Sequence, residues 1–240
     1  MSPKTSGRLP EAVVRATEHW HARREAEAQE VTATPRGPTA FTIAVSREVG
    51  ARGTTVAREV GARLGWHVYD HELLELIARE THVRAGLLES VDERHTSWIQ
   101  DCMEAFSAKP MVGESSYVRH LLQILLSLGA HGECVIVGRG ASLLLPAATT
   151  LRVRLVAPED VRAAVVGDLH GMSAAEAGRF IKETERERAT FAREHFRKDS
   201  ADPSNYDVVL NTGVFTVPEC ADLIVEALLR RQRHARSRPA

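Results

Sequence analysis

The chain has 240 residues, with 31 Lys plus Arg against 32 Asp plus Glu and a formal net charge of −1. That balance excludes bulk electrostatic attraction to nucleic acid or anionic membranes, so any bound anion must be held by local geometry. A hydrophobic content of 43% supports one sizeable core, no apolar run approaches the ~20 residues a membrane span needs, and the N-terminus lacks the apolar core of a signal peptide, so the expectation is a cytoplasmic protein.

Residues 1–40 read as an extension. Between Pro10 and Glu30, Arg15, Glu18, Arg23, Arg24, Glu25, Glu27 and Glu30 alternate in sign with few apolar residues between them, the pattern of a solvated helix. Residues 31–40, with Pro35, Gly37 and Pro38, read as linker. From Phe41 the pattern becomes strand, loop, helix, repeated. Residues 41–46 form a short β-branched strand, 54–64 a helix with Val56, Val60 and Leu64 on one stripe, 66–69 a second strand and 71–80 a helix.

Residues 84–107 and 116–130 read as two helices separated by Lys109-Pro110 and Gly113. Strands follow at 134–137 and 151–156, the latter with Arg152 and Arg154 on one face, then a charged helix over 173–197, a strand over 206–210 and a closing helix over 218–231. Such alternation predicts a parallel sheet covered on both faces, with ligands at the carboxyl ends of its strands. The three cysteines, Cys102, Cys134 and Cys220, contain no C-x-x-C pair and the 11 histidines show no metal spacing, so no zinc or histidine site is expected. Trp98, Phe106 and Tyr117 are expected to pack the core of the segment between the second and third strands.

The loop Ser46-Arg47-Glu48-Val49-Gly50-Ala51-Arg52-Gly53-Thr54-Thr55 sits between a buried strand and a helix N-terminus. Backbone N–H groups there form an anion nest reinforced by the helix dipole. Gly50 and Gly53 can take positive φ, and Thr54 or Thr55 can offer a hydroxyl to a metal ion. Against G-x-x-x-x-G-K-[ST], Arg52 stands at the lysine, Ser46 at the first glycine and Ala51 at the second. Alone, the pattern fits an ordinary tight turn equally well.

Several segments together resemble the cytidylate kinase-like family. They are Val45-Ser-Arg-Glu-Val-Gly-Ala-Arg-Gly53, Leu64-Gly-Trp-His-Val-Tyr-Asp70, Val135-Ile-Val-Gly-Arg-Gly-Ala141, Ile181-Lys-Glu-Thr-Glu-Arg-Glu-Arg-Ala189 and Asp202-Pro-Ser-Asn-Tyr-Asp-Val-Val-Leu-Asn211, in family order. The resemblance implies a P-loop nucleoside-monophosphate kinase domain over 41–240. Its parts would be a three-layer α/β fold with a five-stranded parallel sheet, a helical monophosphate-binding insertion at 83–132 and an arginine-bearing lid at 173–200. It implies transfer of the ATP γ-phosphoryl group, with Mg²⁺, to CMP or dCMP. The alternative is a nucleotide-binding protein of the same fold without transfer, serving as a sensor or partner-binding module. The loop has no lysine, and Gly140 stands where classical cytidylate kinases carry aspartate in Gly-Arg-Asp.

On this resemblance the ATP phosphates fall to Ser46, Arg47, Gly50, Ala51, Arg52, Gly53, Thr54 and Thr55, with Thr54 toward the metal. The monophosphate falls to Arg139 and Asp70. Arg52, Arg139, Arg186 and Arg188 would supply the converging charge that phosphoryl transfer needs, with Arg52 ahead of Arg47 for the missing lysine's place. Arg139, flanked by glycines at a strand end, suits a planar fork on phosphate. Glu48, beside Arg47 and Arg52, is expected to hold one arginine by an ion pair by default or to reach a hydrated Mg²⁺, and Asp70 either accepts from the base or ribose or caps the helix after it.

Overall fold

The computed structural model describes residues 9–29, 40–91, 93–107 and 116–237. The linker reading over 31–39, the break at Lys109, Pro110 and Gly113, and the Phe106 side chain lie outside what is described. In chain order the elements begin α1 (Leu9–Gln29), β1 (Thr42–Arg47), α2 (Gly53–Leu64), β2 (His67–Tyr69), α3 (His71–Arg79) and α4 (Thr81–Ser90). They continue α5 (Glu93–Ser107), α6 (Ser116–His131), β3 (Cys134–Val137), α7 (Ala141–Leu144), β4 (Thr150–Val156) and α8 (Glu159–His170). After α9 (Ala174–Phe196) and a 3₁₀ turn at Pro203–Asn205 come β5 (Val208–Asn211) and α10 (Val217–Ser237). No helix among the described residues is long and apolar enough to cross a membrane.

The chain divides into two compact units, one of Phe41–Val68 with Cys134–Ala240, the other of Tyr69–Glu133 with the N-terminal segment. The sheet is five-stranded and parallel, in the order β2-β3-β1-β4-β5. In the first unit, Ile43 and Val45 pair in register with Val135 and Val137 on one side and with Leu151 and Val153 on the other. These side chains pack with Val56 and Val60 of α2 and Ile224 and Leu228 of α10. Burial alternates along β4, which turns Arg152 and Arg154 to the opposite face.

A second, smaller core joins Val49 of the loop after β1 to Val166 of α8 and to Ala177 and Ile181 of α9. Helix α9 opens with a capping box between Ser173 and Glu176.

In the second unit α1 is no solvated extension. Ala16 and Trp20, four residues apart on one face, are buried. Trp20 Nε1 donates to the Tyr69 hydroxyl at 2.7 Å, which lies 2.9 Å from His19 Nδ1. Arg23 donates to the His131 carbonyl at 2.7 Å and pairs with Glu133 at 2.9 Å. One contact turn suffices to dock a helix that otherwise reads as polar. The helix expected over 84–107 is two helices, because Val91 is extended (φ −74, ψ 132) and ends α4.

Candidate functional site

β1 is central, with β3 and β4 as neighbours, and the loop Glu48–Arg52 leaves its carboxyl end. Glu48 N–H donates to the Leu155 carbonyl at 3.0 Å, and Ala51 N–H turns back to the Glu48 carbonyl at 3.2 Å. Gly50 (φ 84) and Arg52 (φ 52) are both left-handed. Glycine is required at 50 because a Cβ there would lie 2.5 Å from the Arg162 carbonyl oxygen. Arg52 adopts the same region at a cost of roughly 1–2 kcal/mol for a residue with a Cβ. Gly53 serves close approach rather than positive φ: a Cβ there would lie 2.5 Å from Arg47 Cγ. The N–H groups of Gly53, Thr54 and Thr55, in the first turn of α2, have no intrahelical acceptor and carry the positive end of the helix dipole.

Three arginines gather beside this turn. The Arg47 side chain runs past Gly53 and brings its guanidinium against Gly138 at the end of β3, where any Cβ would collide with it. Arg188 of α9 donates to the Arg47 carbonyl at 3.4 Å. Burial holds the Arg188 guanidinium below its ordinary pKa, and Arg139 adds like-charge repulsion against the opposing pull of Glu185. Arg139 itself is left-handed (φ 53) between two glycines that share that conformation. A bound anion would relieve the repulsion among these cations.

The other proposed arginines lie elsewhere. Arg52 is exposed at the N-cap of α2. Arg186 is 76% exposed and pairs with Glu183 at 3.2 Å. Ser46 Oγ lies 3.2 Å from both Arg154 Nη1 and the Tyr206 hydroxyl, and Arg154 stacks 5.5 Å from the Tyr206 ring centre. Arg152, on the same face, is held by Asp207 through bonds of 2.7 and 3.2 Å. Glu48 makes its ion pair with Arg162, at 3.4 Å, a partner distant in the chain. Asp70, in the second unit, caps α3 by accepting from Leu73 N–H at 3.1 Å.

Gly140 (φ 76) opens α7, and the ring of Phe196 fills the space a side chain at 140 would enter. Sequence reasoning did not reach Arg162, on a helix it did not predict, or Glu185. The arginine pair on β4 was visible in the strand pattern, but its partners were not.

Among the described residues no group of three or more His, Cys, Asp or Glu could hold a metal ion. The half-buried Thr54 offers one hydroxyl in the first turn of α2. That donor set fits a Mg²⁺ that arrives on nucleotide phosphates and keeps most of its waters.

A family model described as the cytidylate kinase-like family matches residues 42–214. The chain belongs to the cytidylate kinase-like family. The match spans the loop after β1, helices α3 to α6, the arginine-bearing α9 and β5, and makes this a nucleotide-kinase-like protein. A solved structure of an uncharacterized protein from Eubacterium ventriosum is 20% identical, covering 80% of this chain and 99% of that one at a TM-score of 0.64. That likeness shows a common fold. Shikimate kinase from Bacteroides thetaiotaomicron is 16% identical over 79% of this chain and 98% of its own, at a TM-score of 0.46. A uronate isomerase from Corynebacterium glutamicum is 28% identical over 125 residues, and the chain spans about a quarter of that relative's length (24%).

Proposed function

We propose that this cytidylate kinase-like protein transfers the γ-phosphoryl group of ATP to CMP or dCMP. The gathering of Arg47, Arg139 and Arg188 beside the glycine turn carries the reading, since phosphoryl transfer rests on positioning and charge neutralisation rather than on a covalent intermediate. The first-turn N–H groups of α2 and the loop hold the ATP phosphates. Arg47, lying along the loop, takes the lysine's place in preference to the exposed Arg52. Arg139 grips the acceptor phosphate, and Arg188 in preference to Arg186 supplies charge from α9. Mg²⁺ arriving with ATP neutralises phosphate charge, and Thr54 is the residue that would hold it.

A second reading, nucleotide binding without transfer, is favoured by the solvent-facing Arg52 at the lysine position of the standard phosphate loop. One assay separates the two. The protein is offered ATP, Mg²⁺ and each of CMP, dCMP, UMP, AMP and GMP, and diphosphate formation is followed directly. Transfer to CMP or dCMP is expected, with Arg139→Ala raising the acceptor KM and lowering kcat by a combined loss on the order of 2–5 kcal/mol while ATP affinity holds. Arg47→Ala is expected to remove most of the rate and Arg52→Ala little of it. ATP binding with no diphosphate from any acceptor would leave the binding protein standing.

A further inference from the structure

Three consecutive residues of the glycine loop lie against one side chain or its backbone. Arg162, in the first turn of α8 and with its side chain 11% exposed, pairs with Glu48 Oε2 at 3.4 Å. It donates Nε to the Ala157 carbonyl at 2.9 Å and Nη1 to the Val49 carbonyl at 3.5 Å. Its own carbonyl abuts Gly50. A second carboxylate completes the cluster: Glu185 Oε1 of α9 accepts from Arg162 Nη1 at 2.6 Å and from Val49 N–H at 3.2 Å. Glu48 also accepts from Ala157 N–H at 3.1 Å, and Arg154 stands 3.8 Å from it. Two carboxylates and two guanidinium groups sum to zero charge, so the cluster does not repel a phosphate bound nearby.

We propose that Arg162 is the positioning residue of the phosphate loop, and that Glu185 ties the loop's shape to the docked position of α9. The inference rests on the reading that this loop holds ATP phosphate. The loop makes one hydrogen bond within itself, Ala51 to Glu48, and is otherwise supported from β4, α8 and α9 and by the Thr212 hydroxyl, which donates to the Ala51 carbonyl at 3.3 Å. Only a planar fork can serve Glu48, Glu185 and two carbonyls together, and a lysine ammonium cannot. The buried stripe of α9 carries Ala177 and Ile181 onto Val49, and Glu185 and Arg188 continue it. Withdrawal of α9 would therefore strip from the loop the carboxylate on Val49 N–H, the second partner of Arg162 and the donor on the Arg47 carbonyl in one motion.

The test uses the full chain with Arg162→Lys, Glu185→Gln and the double variant, neither single change removing bulk from the core. Without nucleotide, amide exchange in a peptide spanning residues 47–53 should accelerate roughly tenfold or more in both single variants, while the central strands stay protected. Calorimetry should show ATP binding weakened roughly tenfold in each, and the double variant little worse than the weaker single, because both act on one contact. Unchanged exchange in the loop, loss of protection spread evenly over the sheet, or additive losses in the double variant would each overturn the proposal. Faster loop exchange in a chain whose wild type binds no ATP would leave the loop-holding role intact and sink the nucleotide reading instead.

Discussion

The ring of Phe196, the last residue of α9, lies against the Cα of Gly140, in the space any side chain at position 140 would enter. Glycine at 140 and the ring at 196 are therefore one packing arrangement between a strand end and the end of a helix. Gly140→Asp should cost about 2–4 kcal/mol, from left-handed strain plus displacement of the ring. That corresponds to a fall of roughly 5–15 °C in Tm. Adding Phe196→Ala should return part of the loss at position 140, and a strictly additive pair in a thermal melt would refute the steric account.

Gly53→Ala tests the start of α2. Its Cβ would meet Arg47 Cβ and Cγ at 2.6 and 2.5 Å, so Arg47 must leave the loop. ATP affinity, read by calorimetry, should fall by tenfold or more, equivalent to about 1.4 kcal/mol or above. Helix stability should hold, since alanine is the better helix former. Unaltered affinity would place the nucleotide elsewhere.

Much of the fold could be read because its signals are local. A β-branched run before glycines marks β1 and its turn, and a stripe at 56, 60 and 64 marks α2. Helix α8 gives no such signal: Val166 is its one buried residue, so no apolar stripe forms. Arg162 was hidden with it, and its partners Glu48 and Glu185 come from distant parts of the chain. Arg186 and Arg188 are indistinguishable in sequence. Two residues apart on a helix, they point about 200° from one another, so the loop meets only one of them. The docking of α1 was masked because Trp20 finds its partner at Tyr69, beyond the reach of any periodicity.

Tyr69→Phe examines that docking. Indole only donates, so the Tyr69 hydroxyl accepts from Trp20, and it lies within hydrogen-bond reach of His19 Nδ1. Removing the hydroxyl should cost about 1–3 kcal/mol in urea unfolding. Replacing Trp20 by Phe in the same chain should recover part of it, because the orphaned donor goes too.

His131 makes stability sensitive to acid. Burial pushes its imidazole down to about 3 from an ordinary 6.5, with His19, Arg23 and His95 adding repulsion. Ser90 Oγ donates to the Leu87 carbonyl at 2.6 Å, so the ring donates Nε2–H to Ser90 across 2.9 Å and is neutral. The folded pKa lies below the unfolded one. The stabilisation is therefore complete above about pH 6.5 and is lost as pH falls toward 3, by about 3 kcal/mol at pH 4. His131→Gln keeps a donor for Ser90 and should flatten the fall in urea midpoint between pH 7 and 4. An identical slope in both proteins would assign the acid sensitivity to other groups.

The bond from Arg23 to the His131 carbonyl joins positions 108 apart in the chain. During synthesis α1 is complete long before α6 exists to receive it, and β1, α2 and β2 are all made in between. Closing so long a span is entropically costly and slow compared with the local pairing of neighbouring elements. Full seating of α1 is thus a late event in the birth of the molecule, although Trp20 can meet Tyr69 after only 49 residues. Until Tyr69 is made, the indole is a sticky surface on the nascent chain, the kind of exposed apolar group that chaperones shield.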